Sequence, residues 1–200
     1  MARSSGFLST GQAADECSFS DWAILQWVCS GKLRADSSPG GRRRVDADEL
    51  AEFLRRHALR VPPELRALGP RRILVVGPAG APVFVALGQA LADLRIEAKV
   101  EMAGGGVAAC LRVPALLPHL LILDIDSPGD DVDIVKFCRS LRAVADLAET
   151  RVLLLAADAS DPRLTLALEA GADDWLPKPA TLAALAAKVR ELLRGDTAMA

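Results

Sequence analysis

The sequence predicts an α/β fold for residues 72–195, an open parallel sheet with helices on both faces, behind a small domain of short helices over residues 1–60. Two observations carry this. A cluster of chain breakers, VPPELRALGPR at 61–71, divides the 200 residues into pieces of different texture. Behind it, short apolar runs alternate with amphipathic stretches five times, and strands apolar throughout need cover on both faces. Residues 61–71 are expected to form a linker and residues 196–200 a tail.

In the back piece, Arg72–Val76 (RILVV) reads as a buried strand ending at Gly77-Pro78. Pro82 suits the first turn of a helix that continues over Val83–Leu94. Ile96–Glu101 reads as a second strand, followed by a weaker helix near Val107–Leu117 that Pro114 interrupts. His119–Leu123 is a third strand, Ile134–Val144 a helix, and Arg151–Ala156 a fourth strand. Pro162–Ala170 is helical and stops at Gly171, and Asp174–Leu176 is a short fifth strand. Thr181 caps Leu182–Leu193, whose later cations Lys188, Arg190 and Arg194 suit a helix C-terminus.

In the front piece Thr10 is expected to cap Gly11–Glu16, and Ser20 to cap Asp21–Cys29. Residues 37–41 (SSPGG) predict a turn that leads into extended Arg42–Val45. Asp46, with Glu49 three residues on, starts a helix over Ala47–His57.

Composition is globular: 51% hydrophobic and 25% charged residues exclude a disordered chain. The net charge of −2 argues against a nucleic-acid binder, but it is an average. Residues 1–60 carry nine basic and eight acidic side chains, whereas residues 73–200 carry twelve and seventeen. The four cysteines, Cys17, Cys29, Cys110 and Cys138, show no metal-ligand spacing and are expected as reduced, mostly packed thiols. With no secretory leader pattern and no long apolar run, a cytoplasmic protein with no membrane partner is expected.

In an open parallel sheet, sites lie beyond the carboxyl ends of the strands. Strand three ends at Asp124, within LILDIDSPG, and strand five is followed by Lys178, within GADDWLPKP. An Asp and a Lys at neighbouring strand ends can meet over the sheet, and such a carboxylate could accept a phosphoryl group. These two motifs resemble the receiver domain of two-component response regulators. The resemblance covers about residues 71–195 and implies a flavodoxin-like doubly wound sheet of strand order 2-1-3-4-5. It also implies Asp124 as phospho-acceptor, Lys178 as active-site lysine and Trp175 as switch aromatic.

The sequence departs from that pattern at two places. Receivers carry an acidic pair at the end of strand one, where this chain has Gly77 and Pro78. They carry Thr or Ser at the end of strand four, where it has Ala156. Phosphoryl transfer to a carboxylate needs a cation to offset its charge, and Asp124 alone would hold Mg²⁺ weakly. A degenerate, phosphorylation-independent pseudo-receiver is therefore expected, with no metal site and no cofactor.

Asp126, Asp130, Asp131 and Asp133 read as a solvated acidic loop leading into a helix N-terminus. The D-x-D-x-x-G at 124–129 is not a calcium loop, because Pro128 fills the fifth position and Val135 the twelfth. A nucleotide site at Gly77–Gly80, with Glu101 as a ribose-binding acid, is the weaker alternative: Pro78 removes an amide that phosphate would need.

The front piece contains Trp27, Gly31-Lys32-Leu33 and Pro39-Gly40-Gly41-Arg42-Arg43-Arg44. It resembles the MerR/excisionase-type winged helix-turn-helix. The resemblance implies a partner in double-stranded DNA, with Arg42, Arg43 and Arg44 on phosphate or in the minor groove. Ser20, Trp22, Ala23 and Gln26 are the groove-facing candidates of the second helix, with Gln26 able to read adenine. Trp27 is expected in the core.

The expected function is thus a non-enzymatic, DNA-binding transcriptional regulator, nucleoid-associated when bound. Its pseudo-receiver would serve a protein partner or homodimerisation. The alternatives are a response regulator switched by phosphorylation of Asp124 and an adaptor that does not bind DNA.

Overall fold

A computed structural model describes residues 6–37, 41–62, 65, 70–78, 82–126 and 132–194. Residues 38–40 of the expected turn, 79–80 of the expected glycine loop, 127–131 of the acidic loop and the 196–200 tail lie outside the described residues. The chain divides into two compact units, Met1–Pro70 and Arg71–Ala200. The boundary falls at the end of the expected linker, and Arg71 belongs to the first strand of the second unit. Val61 and Leu65 are buried rather than solvated as linker residues would be.

The first unit runs β1 (Phe7–Ser9), α1 (Thr10–Cys17), α2 (Asp21–Cys29), β2 (Asp36–Ser37), β3 (Arg43–Asp46) and α3 (Ala47–Arg56). Its strands form an antiparallel sheet in the order β1-β3-β2. The sequence reading missed β1, a three-residue strand too short to show periodicity. The reading also misplaced the first cap. Ser9, not Thr10, accepts from the Gln12 amide, and the Gln12 side chain accepts from Ser9 in return. Ser20 and Asp46 cap α2 and α3 as expected. Trp27 sits in an aromatic cluster, 5.1 Å from the Phe19 ring and 4.7 Å from that of Phe53, which stacks on His57.

The second unit runs β4 (Arg71–Val76), α4 (Pro82–Leu94), β5 (Ala98–Ala103), α5 (Gly106–Leu116), β6 (Leu120–Asp124), α6 (Ile134–Ala143), β7 (Arg151–Ala156), α7 (Pro162–Glu169), β8 (Asp174–Pro177) and α8 (Leu182–Arg194), with a 3-10 turn at Ala145–Leu147. Its sheet is parallel, in the order β5-β4-β6-β7-β8. Ile73, Leu120, Ile122, Leu153 and Leu155 from the central strands pack with Leu87, Leu185 and Val189 from α4 and α8.

Two differences from the sequence reading have plain causes. The α5 helix runs through Pro114 at the cost of one N–H bond, to the Cys110 carbonyl, and ends two residues later at Leu116. β5 runs to Ala103, so Glu101 lies inside the strand, paired with Lys99 and Arg112, and is not at the strand end where a ribose-binding acid would stand.

Cys138 is buried, Cys17 half-buried, and Cys29 and Cys110 are exposed, so packing of most thiols does not hold; all four are free. Burial pushes the Cys138 thiol up to about 11, with Arg142 lowering it and Asp173 raising it. Burial, then the Glu16 charge, likewise raises Cys17 to about 11. Thiol titration of the native protein at neutral pH is therefore expected to modify Cys29 and Cys110 quickly, and Cys17 and Cys138 only after denaturant is added. Rapid native modification at Cys138 would contradict this packing.

Candidate functional site

Asp124 is the last residue of β6 and Lys178 the first after β8, with β7 between them in the sheet. The Lys178 backbone N–H donates to the Ala156 carbonyl at 2.8 Å, which fixes the lysine over the end of β7. Its ammonium Nζ donates to Asp124 Oδ1 in a close ion pair and lies 3.0 Å from Asp126 Oδ2. Asp124 Oδ1 also accepts from the Asp126 backbone N–H at 3.0 Å. The structure thus brings together Asp124 and Lys178.

It also brings in Asp126, which the sequence reading left as a solvated loop acid. Asp126 Oδ2 accepts from the Ala157 N–H at 2.6 Å, and Oδ1 lies 3.4 Å from Arg163 Nη2. Arg163 also donates to the Ile125 carbonyl at 3.0 Å and pairs with Asp161. Asp126 stands in the turn after β6, and no local sequence signal marked it. Asp133 is an exposed cap on α6, as expected.

Burial would raise the Asp126 carboxyl. The hydrogen bonds from Lys178 and Ala157, with the charges of Lys178 and Arg163, outweigh burial and hold it below its ordinary 3.8. Burial would lower Lys178, and its bonds to Asp124 and Asp126 instead raise it above 10.5. Asp126 therefore adds stability that is complete above the unfolded carboxyl value and disappears as pH falls through the lower folded one. The Lys178 contribution is complete below 10.5 and is lost at higher pH, as the solution passes the raised value. Between about pH 5 and about pH 3, Asp126→Asn is expected to lose less melting temperature than the wild type. Equal losses would remove Asp126 from the charge network.

Gly77 and Ala156 are buried beside the pair and Pro78 is exposed. A Cβ on Gly77 would lie 3.5 Å from Asp124 Cβ, so a side chain at 77 would stand directly against the aspartate. Trp175 lies half-buried on β8, opposite Leu154 of β7. A cavity of about 450 Å³ opens beside Asp124, with apolar walls that include Val76, Leu123 and Phe137, and with Asp133 and Arg163 at its polar edges.

Residues 82–190 match the response regulator receiver domain family. The chain belongs to that family. Response regulator MprA of Mycobacterium leprae (strain TN) is 41% identical over 95 residues, covering 48% of this chain and 40% of the relative. MprA of Mycobacterium ulcerans (strain Agy99) is 40% identical over 95 residues, covering 48% and 39%. The chain thus spans about 40% of the length of these relatives. Among solved structures, a receiver domain from Bermanella marisrubri has 29% identity and a TM-score of 0.51, over 62% of this chain and 98% of that one. A response regulator from Chloroflexus aurantiacus has 27% identity and a TM-score of 0.52, over 62% and 98%. These matches are to response regulators, and at that level they favour a two-component regulator over the expected pseudo-receiver.

The family implies Mg²⁺ beside the acceptor. Mg²⁺ asks for near-octahedral oxygen ligands. Gly77 has no side chain, Pro78 has no side-chain oxygen, and both Asp124 and Asp126 are engaged by Lys178. No group of three His, Cys, Asp or Glu among the described residues could hold a metal. The described residues of this receiver do not fit the ion.

In the first unit, α2 presents Trp22, Leu25, Gln26 and Cys29 along one exposed face, with Trp22 70% exposed. Ala23 is half-buried, and the Ser20 hydroxyl accepts from its N–H at 3.3 Å, so Ser20 serves first as a cap. Arg42, Arg43 and Arg44 are all exposed but do not form one cluster. Arg43 and Arg44 alternate along β3, so they point to opposite faces. Arg43 shares the side of buried Val45 and reaches Cys29 Sγ of α2 at 3.2 Å. Among the described residues, no helix is long and apolar enough to cross a membrane.

Proposed function

We propose that this chain is a DNA-binding response regulator, not an enzyme. In this reading the receiver unit holds a switch centred on Asp124 and Lys178. The first unit, read as a winged helix, binds double-stranded DNA through Arg43 and the α2 face, with Arg42 and Arg44 adding phosphate contacts, and carries the protein to the nucleoid. Homodimerisation through the receiver doubles the phosphate contacts of a weakly basic unit. The observation that carries the reading is the Asp124–Lys178 ion pair over the carboxyl ends of β6 and β8 in a receiver-family domain.

Two ways of setting the switch follow. Family membership favours phosphorylation of Asp124. Gly77, Pro78 and Ala156 favour a phosphorylation-independent switch, because the carboxylates that would hold Mg²⁺ and the hydroxyl that would bind the phosphoryl group are replaced. Acetyl phosphate with Mg²⁺, followed by Phos-tag electrophoresis and intact mass, separates them. One phosphoryl group, lost in Asp124→Ala, supports phosphorylation; an unmodified chain supports the independent switch. An adaptor without DNA binding would show no duplex affinity at low salt in either state.

A further inference from the structure

The carboxylate of Asp126 lies among donors that an added anion would use. Its Oδ2 accepts from the Ala157 N–H at the end of β7 and lies 3.0 Å from Lys178 Nζ after β8, while its backbone N–H donates to Asp124 at the end of β6. Arg163 on α7 approaches its Oδ1 at 3.4 Å and bonds the carbonyl of Ile125. One residue therefore ties three strand ends and a helix, through its carboxylate and its backbone N–H. The Asp126 side chain is 27% exposed, so water screens this arrangement only in part.

We infer that Asp126 is a resident anion: its carboxylate occupies the anion position formed by Lys178 Nζ and the Ala157 N–H, and keeps out any phosphoryl oxyanion seated beside Asp124. The inference rests on the reading of Asp124 and Lys178 as the regulatory centre. A phosphoryl group beside Asp124 would need cationic and N–H donors within hydrogen-bond reach. Here the Ala157 N–H and one Lys178 N–H are taken by a carboxylate already in the chain, and a second anion would meet its like charge at close range. The depressed Asp126 carboxyl agrees, since it stays ionised well below neutral pH. An aspartate in place thus does for the strand ends what an added group would otherwise do, and the site is filled at rest.

The test uses the full chain and inorganic phosphate as the probe, with the Ala157 amide followed by ¹H–¹⁵N NMR. In the wild type the Ala157 amide is expected to stand downfield and not to respond to phosphate. In Asp126→Ala it should move upfield and then shift saturably. Phosphate affinity should rise about tenfold or more, as expected when a charge-assisted competitor for two donors is removed. Adding Lys178→Ala should abolish the gain. Phosphate binding at Ala157 in the wild type, or no gain in Asp126→Ala, overturns the inference.

If Asp126→Ala does not fold, Asp126→Asn decides. The wild-type Ala157 shift should follow carboxyl titration below pH 3.8, and the Asn variant should lose that dependence. A dependence that persists overturns the inference. DNA affinity of the same variants reads the regulatory function separately. Phosphate capture with unchanged DNA affinity would support the resident anion and overturn coupling of this centre to DNA.

Discussion

Replacing Arg142 by alanine is expected to destabilise the receiver unit by about 2–3 kcal/mol, the largest effect of any polar substitution considered. Arg142 leaves α6 and gathers acceptors from the segments before β7 and before β8. Its Nε and Nη2 donate to the Gly171 carbonyl at 2.9 and 2.6 Å, its Nη1 to the Ala148 and Thr150 carbonyls at 2.8 and 2.6 Å, and its Nη2 to Asp173 at 2.8 Å. Asp173 in turn accepts from Arg151 and from the Val152 backbone N–H. The Arg142 side chain is 26% exposed and Asp173 keeps two donors after the change. The cost therefore falls below the roughly 3–5 kcal/mol of a fully buried broken pair.

The loop is built around this guanidinium. Gly171 has φ +113°, and a Cβ there would fall 2.7 Å from Arg142 Cγ. A receiver melting temperature lower by about 8–12 °C is expected. Arg163→Ala, at a 54% exposed side chain, should cost less than about 1 kcal/mol. An Arg142→Ala melt no lower than that of Arg163→Ala would show that the network contributes nothing net.

The second large effect concerns DNA. Removing Arg42, Arg43 and Arg44 together is expected to weaken duplex binding at least about tenfold at low salt. It should also reduce the slope of log affinity against log salt by up to about 3, at roughly 0.9 per phosphate contact. The three are not equivalent. Arg43 lies on the α2 side, against Cys29, so it and α2 can approach one DNA surface together, while Arg44 points from the other face of β3. Arg43→Ala is therefore expected to cost more than Arg44→Ala. Trp22, exposed at the start of α2, gives a salt-independent control: Trp22→Ala should lower affinity and leave the slope unchanged. A triple variant with wild-type affinity and slope would remove this unit from DNA binding and leave the adaptor reading.

What the sequence revealed depended on how strongly each segment was patterned. RVLLLA at 151–156 is a continuous apolar run, Val152–Ala156, led by Arg151, and β7 has the bounds Arg151–Ala156. β5 alternates Lys99 and Glu101 with apolar residues, so no run marks its ends, and the reading placed it two residues early. Asp124 and Lys178 were legible because each follows a well-marked strand or motif. Asp126 was not, because its partners Ala157, Arg163 and Lys178 lie 31, 37 and 52 residues away, a distance no local pattern spans. The arginine run misled for the opposite reason: neighbours in sequence, Arg43 and Arg44 are separated by the strand's own alternation.

The most direct test of a receiver centre that governs DNA binding is genome-wide occupancy of the tagged full chain, measured for the wild type, for Lys178→Ala and for the triple arginine variant. Discrete wild-type sites that are lost in the triple variant and redistributed or altered in strength in Lys178→Ala are the predicted result. Wild-type occupancy that matches the triple variant, or sites untouched by Lys178→Ala, would contradict it.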